Sequence, residues 1–347
     1  MSSATTRKRV IQGFALAAML LVAVYVLAPR VLGLEGTVKV LGRAEPNWLA
    51  VALAFDLAAF GSYVLLFRTV ISKGIERFGW RESYQVTMAG LSATLLFGAG
   101  GAGGILLTYW ALRKAGAERR LAIGRIVTFL VILYSVYMAS LVVFGGLLRS
   151  GAIEGGSALT VTLIPAALAT AVILLVLSMA LVPVDLDRRS RNPHSRPLVA
   201  KVAAIPPTVS DGVRGALAFT KSPGSAALAL GSAVCFWAAN VGVLWASLQA
   251  FGVSAPAGAL VQGFFVGMAG NLIPLAPGGA GAVDAGLIGS LVLFGIPATE
   301  TFAAILLFRA FTFWLPVPLG VAAFLGLRGS VARWVEADSA GPKPAGP

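Results

Sequence analysis

Charge is scarce in this chain: Asp, Glu, Lys and Arg make up 12% of its 347 residues, against 58% apolar ones, whereas a soluble domain is about a quarter charged and about half apolar. That shortage excludes an ordinary soluble fold. Cysteine and histidine are scarcer still. The single Cys235 excludes internal disulfides and a Cys-x-x-Cys metal site, and the single His194 excludes a histidine metal cluster. No nucleophile–base set and no carboxylate pair at a fixed spacing argues for acid–base catalysis. The expectation is a protein that is not an enzyme and uses no cofactor or metal. The net charge of +13 would point to nucleic acid only if the basic residues formed a patch on a soluble fold. They lie instead between apolar runs, so no nucleic-acid partner is expected.

What the chain has in abundance is apolar runs of about twenty residues, each long enough to cross a hydrocarbon core of about 30 Å. Helices are predicted over 10–29, 48–67, 121–147, 158–182, 226–250 and 301–327. The run after Arg7-Lys8-Arg9 exceeds the apolar core of a signal peptide, about 7–15 residues, and no A-x-A site closes it; it reads as the first membrane helix. Two further apolar stretches, 83–112 and 257–296, are interrupted. The first contains Gly98, Gly100, Gly101, Gly103 and Gly104; the second runs through Asn271, Pro274, Pro277, Gly278, Gly279 and Gly281. Adjacent glycines cost about 1 kcal/mol each in a helix and proline about 3, so neither stretch reads as one unbroken helix.

Lysine and arginine are enriched in cytoplasmic loops. If each broken stretch is a re-entrant hairpin, both termini and the loops 68–82, 113–120 and 183–222 share one side and hold 21 of the 27 basic residues. Arg30, Lys39, Arg43 and Arg149 fall opposite, and Arg125 and Arg309 lie inside apolar helices. Making only the first stretch a full span would move the following basic loops to the wrong side. The predicted fold is therefore all-α and integral to the inner membrane, with cytoplasmic termini. It has six transmembrane helices and two glycine-broken re-entrant hairpins in a single domain.

An internal similarity supports two inverted-topology repeats, 10–147 and 158–327, with 183–222 as a cytoplasmic connector lying against headgroups. The stretch 99–104 resembles 277–282, and 125–129 resembles 309–313, in the same order. Inverted repeats with discontinuous helices characterise carriers whose site lies near the midplane.

The candidate site follows from what a bilayer makes costly. Backbone freed by Gly100, Gly101 and Gly103, and by Asn271, Pro277, Gly278, Gly279 and Gly281, must be buried in protein or face a wet cavity; the alternative is that these glycines only permit close helix packing. The half-helix expected to begin near Gly281 would present N–H groups suited to a phosphate. Arg309 is too deep to reach the surface easily and is a candidate anion contact or a partner of Asp284. Arg125, near a helix end, is a candidate contact or a side chain that snorkels to the surface. Asp284 and Asp56 must be protonated, paired or facing water. Trp237, Trp245 and Trp314 are assigned to packing or the membrane interface.

On Asn271-x-x-Pro274-x-x-Pro277-Gly278-Gly279-Ala280-Gly281-x-x-Asp284, followed by Arg309 and Thr312-Phe313-Trp314-Leu315-Pro316, the sequence resembles the lysylphosphatidylglycerol synthase transmembrane, flippase-like family. The resemblance implies movement of a membrane phospholipid or lipid-linked group between leaflets. Asp284 stands where that family usually has glutamate, and the soluble aminoacyl-transferase domain of its bifunctional members is not expected here. A small-solute carrier, and a scaffold partnering a lipid-modifying enzyme, remain as alternatives.

Overall fold

The apolar runs fold as helices whose ends follow local chemistry. A computed structural model of the chain describes residues 42, 44–97, 101–156, 158–180, 205–218, 222–272, 279 and 281–339. The expected first helix over 10–29, Gly100, Pro277, Gly278 and most of the connector over 183–222 lie outside the described residues. Every regular element among the described residues is helical. Helix α1 (Pro46–Phe67) extends through a π turn, Arg68–Ser72, and is followed by α2 (Trp80–Phe97), α3 (Ala102–Lys114), α4 (Arg119–Arg149), α5 (Leu163–Ala180) and α6 (Ile205–Ala218). Then come α7 (Pro223–Gln249), α8 (Ala257–Met268) with a 3-10 turn over Ala269–Leu272, α9 (Ala282–Leu293), α10 (Ala298–Arg309), a π turn over Ala310–Trp314, and α11 (Pro316–Ser339).

Pro46 and Pro223 open their helices at positions where the missing N–H would be unpaired anyway. Pro316 acts differently. It removes the amide that would bond the Thr312 carbonyl, and Leu315 N–H reaches back to Ala310 O at 3.0 Å, a one-residue slip that makes the π turn.

Four helical stretches are long and apolar enough to cross a membrane: Pro46–Ser72, Arg119–Arg149, Pro223–Gln249 and Ala298–Glu336. The last continues past the 301–327 expected from sequence, and α5 is shorter than the expected 158–182. Leu168 and Leu174 on α5 are 64% and 61% exposed; such a face would be a liability in water and is a lipid-facing surface in a bilayer. The chain is an integral membrane protein.

Aromatic rings fill the interior. Trp237 on α7 packs edge-on or tilted against Tyr137, Phe236, Phe264 and Phe265, and its Nε1–H donates to Leu133 O at 2.8 Å. Tyr137 in turn donates to Phe265 O at 2.5 Å. Indole and phenol dipoles buried in an apolar bundle need such acceptors. These contacts fix α4, α7 and α8 to one another.

Each broken stretch is a pair of helices packed side by side, α2 on α3 and α8 on α9. Glycine sets their distance. A Cβ on Gly104 would lie 2.7 Å from Gly90 O, and one on Gly286 would lie 2.7 Å from Gly267 O. Ser290 on α9 also donates to Gly263 O on α8 at 2.7 Å. The predicted break over 98–104 is thus shorter than the sequence suggests: Gly103 and Gly104 belong to α3, and Gly104 serves packing. Between the two sequence halves, α1 packs on α7, α2 on α11 and α8 on α4.

Part of the stretch 183–222 is structured. Helix α6 lies on α4 and α5, with Gly212 and Gly215 seated on Val127 and Thr128 and Thr128 Oγ1 donating to Gly212 O at 3.2 Å. Away from the apolar core, Arg77 Nη1 donates to Asp338 Oδ2 at 3.1 Å. The guanidinium hydrogen bond holds the Asp338 carboxyl below its ordinary range.

Candidate functional site

The second break is built by a glycine and a carboxylate. Gly281 has φ +82°, a backbone conformation open to glycine, which ends the interruption and lets α9 start at Ala282. The third residue of that helix is Asp284, whose Oδ2 accepts the Gly281 N–H at 3.0 Å, a placement favoured by the positive end of the helix. Its other oxygen, Oδ1, accepts from Arg309 Nε at 2.5 Å. Arg309 closes α10, directly before the π turn, and is 5% exposed; Asp284 is 7% exposed. One carboxylate therefore ties a buried guanidinium to the beginning of a broken helix.

Two of the other predicted residues meet each other beside the start of α9. Asn271 lies in the 3-10 turn after α8, and its Oδ1 is 2.5 Å from where a Cβ on Gly279 would sit. Gly279 has φ +68°. A side chain there would be both strained and in collision, so Gly279 allows Asn271 to close against the loop.

The first break also sets a glycine of positive φ before its second helix, but carries different chemistry. Gly101, with φ +89°, precedes α3 as Gly281 precedes α9. The residue that follows Gly101 as Asp284 follows Gly281 is Gly104, so no carboxylate stands there. Gly101 and Gly104 border a cavity of about 190 Å³ that also carries Thr87, Thr94, Thr108 and Tyr63. Gly103 sits in the first turn of α3.

Arg125 and Asp56 lie on other elements, α4 and α1. Arg125 does not simply snorkel; its Nη1 donates to Ile71 O at 2.7 Å and so satisfies a carbonyl at the C-terminal end of α1. It lines a cavity of about 660 Å³ with Lys73, Glu118, Arg120, Ser222 and Ser225. Asp56 is 1% exposed on the face of α1 that also carries Ala52 and Ala59. Its Oδ2 has no hydrogen-bond partner among the described residues.

Sequence reasoning counted Lys73 and Arg120 only as loop charges and passed over Ser222 and Ser225. The signal that would have found them is the presence of three helix ends in one place: α1 finishing before Lys73, α4 starting at Arg119 and α7 at Pro223. Among the described residues no group of three or more His, Cys, Asp or Glu is placed to hold a metal ion.

A comparison with known families matches residues 10–320 to the family described as the lysylphosphatidylglycerol synthase TM region. No curated protein matches the chain.

Proposed function

Because this chain belongs to the lysylphosphatidylglycerol synthase transmembrane family, and its function therefore concerns membrane lipids, we propose that it moves an anionic phospholipid, or a lipid-linked anionic headgroup, between the leaflets of the inner membrane. The observation that carries this reading is the buried pair Arg309–Asp284 at the start of α9. Stripping a buried arginine of its partner costs about 3–5 kcal/mol. Exchanging one oxyanion for another avoids most of that cost. A lipid phosphate entering beside Gly281 takes over the two donors that Asp284 now satisfies, Arg309 Nε–H and the Gly281 N–H, and the released carboxylate takes up a proton, so that no unpaired charge is left buried; the proton leaves again when the lipid departs. Departure of the lipid restores the pair. The protein supplies binding and an exchange of hydrogen bonds, without covalent chemistry.

The same reading treats α2–α3 and α8–α9 as re-entrant hairpins of two inverted repeats. Three features support it: glycines of positive φ, Gly101 and Gly281, at the heads of α3 and α9, glycine-closed pairs in both halves, and the crossed packing of α2 on α11 and α8 on α4. Six spans then arise from the four long helices together with α5 and the 10–29 run. Cytoplasmic termini follow from the basic loops.

The test is transbilayer movement of a fluorescent anionic phospholipid in liposomes carrying purified protein, compared with Arg309→Gln. Accelerated movement that the substitution abolishes supports the proposal. Absence of movement for every lipid tried shifts weight to a small-solute carrier or to a scaffold for a lipid-modifying enzyme.

A further inference from the structure

The basic cavity at the ends of α1, α4 and α7 adjoins an apolar one. The first, about 660 Å³, is lined by Lys73, Arg120 and Arg125, with Glu118, Ser222 and Ser225. The second, about 610 Å³, is walled by Val127, Leu130, Val176, Leu217 and Leu230 among others. Consecutive residues change cavity on three elements: Thr128 and Val127 on α4, Gly215 and Ala216 on α6, Ser225 and Ala226 on α7. The two spaces are therefore neighbours along the same helices. Both volumes fall in the range of about 300–1,000 Å³ usual for small-molecule sites.

Charge and polarity divide cleanly between them. Among the described residues three cations and one carboxylate line the first, beside the N-terminal turns of α4 and α7, a setting favourable to a phosphate. Lys73 Nζ already donates to Ser225 Oγ at 3.2 Å, and Ser225 in turn is 3.3 Å from Ser222 Oγ, so cation and hydroxyls are gathered at one point. The second space opens beside Leu217 and Leu230, which are 51% and 52% exposed. Its chemistry matches an acyl chain. Helix α6 forms a wall of both, fixed on α4 through Gly212 and Gly215.

We propose that these joined cavities form a binding site for one anionic phospholipid, its phosphate held by Lys73, Arg120 and Arg125 and one acyl chain laid along the groove between α4, α5, α6 and α7. The site is separate from the Arg309–Asp284 centre. In the orientation argued above it receives lipid from the cytoplasmic leaflet, although its binding chemistry does not depend on that orientation.

Native mass spectrometry of the purified full chain with phosphatidylglycerol or phosphatidylcholine tests the assignment. Wild type is expected to retain phosphatidylglycerol in preference to phosphatidylcholine. Lys73→Ala with Arg120→Gln, and separately Leu230→Trp, are each expected to lower retention about tenfold, while Lys73→Arg retains it and Arg149→Gln, which removes an exposed cation at the other end of α4, leaves it unchanged. An unaltered thermal unfolding midpoint in each variant separates lost binding from lost folding. Equal retention of both lipids, retention insensitive to the head and groove substitutions, or displacement by inorganic phosphate with no effect of Leu230→Trp would overturn the proposal. Transbilayer movement reads the Arg309–Asp284 centre, and retention that depends on Lys73, Arg120 and Leu230 reads this site, so failure of either reading leaves the other standing.

Discussion

Arg309 and Asp284 stand 25 residues apart in sequence and 2.5 Å apart in space, with the carboxylate also receiving the Gly281 N–H. The pair has a structural and a functional side, which substitution can separate. Arg309→Met or Asp284→Leu alone strands a buried charge and is expected to destabilise the protein by about 3–5 kcal/mol, whereas the double variant removes both charges and should be more stable than either, its remaining cost of about 1–3 kcal/mol coming from the uncapped Gly281 N–H. Chemical denaturation of the three variants in detergent checks this. Equal loss in the single and double variants would contradict the pairing.

Arg125 offers a second hydrogen-bond test. Its guanidinium satisfies the Ile71 carbonyl at 2.7 Å. Replacement by Met, which keeps much of the stem, should cost about 1–3 kcal/mol for the lost charge-assisted bond. Hydrogen exchange at the end of α1 should rise more than exchange at the end of α7. Uniform change across the protein would argue against a local capping role.

Glycine substitutions should separate by mechanism. Gly286→Ala meets the Gly267 backbone at 2.7 Å and is expected to cost about 1–3 kcal/mol by overpacking, with α8 pushed from α9. Gly281→Ala meets nothing within 4 Å, and its cost of about 1–3 kcal/mol comes from the positive φ alone. Enlarging the side chain further should therefore add little at position 281, with Gly281→Ser close to Gly281→Ala, while Gly286→Ser should be worse than Gly286→Ala. Unfolding midpoints decide between the two patterns.

The long apolar helices and the two interruptions were legible in the sequence because each leaves a one-dimensional signal: hydrophobic length, glycine and proline. Arg309 with Asp284 was legible for the same reason, as charges in lipid stand out. The extents of the breaks were not. Gly103 and Gly104 look like breakers in sequence, yet in a bilayer close backbone packing favours small residues inside helices, and Gly104 has that use. Helix α6 was hidden in a basic connector because its seating depends on Gly212 and Gly215 meeting Val127 and Thr128 about 85 residues earlier in the chain. Lys73 and Ser225 escaped notice too. Nothing local in sequence shows that the ends of α1 and α7 meet.

At the surface, Arg77 and Asp338 form an exposed pair. The folded-state depression of the Asp338 carboxyl pKa adds stability above its unfolded value of about 3.9 and loses it as pH falls through the lower folded value. Solvent screens such a pair. Asp338→Asn is expected to leave the unfolding midpoint unchanged at pH 7, and the variant and wild type should also coincide at pH 3. A clear destabilisation at pH 7 would show that the contact anchors α11.

The most direct test of lipid movement through the Arg309–Asp284 centre is the transbilayer rate of an anionic phospholipid in liposomes carrying the Arg309→Met, Asp284→Leu double variant. The account predicts a folded protein whose rate falls to that of protein-free liposomes, since the apolar pair fills the site and leaves no cation to hold phosphate. A folded double variant that moves lipid as fast as wild type would contradict it.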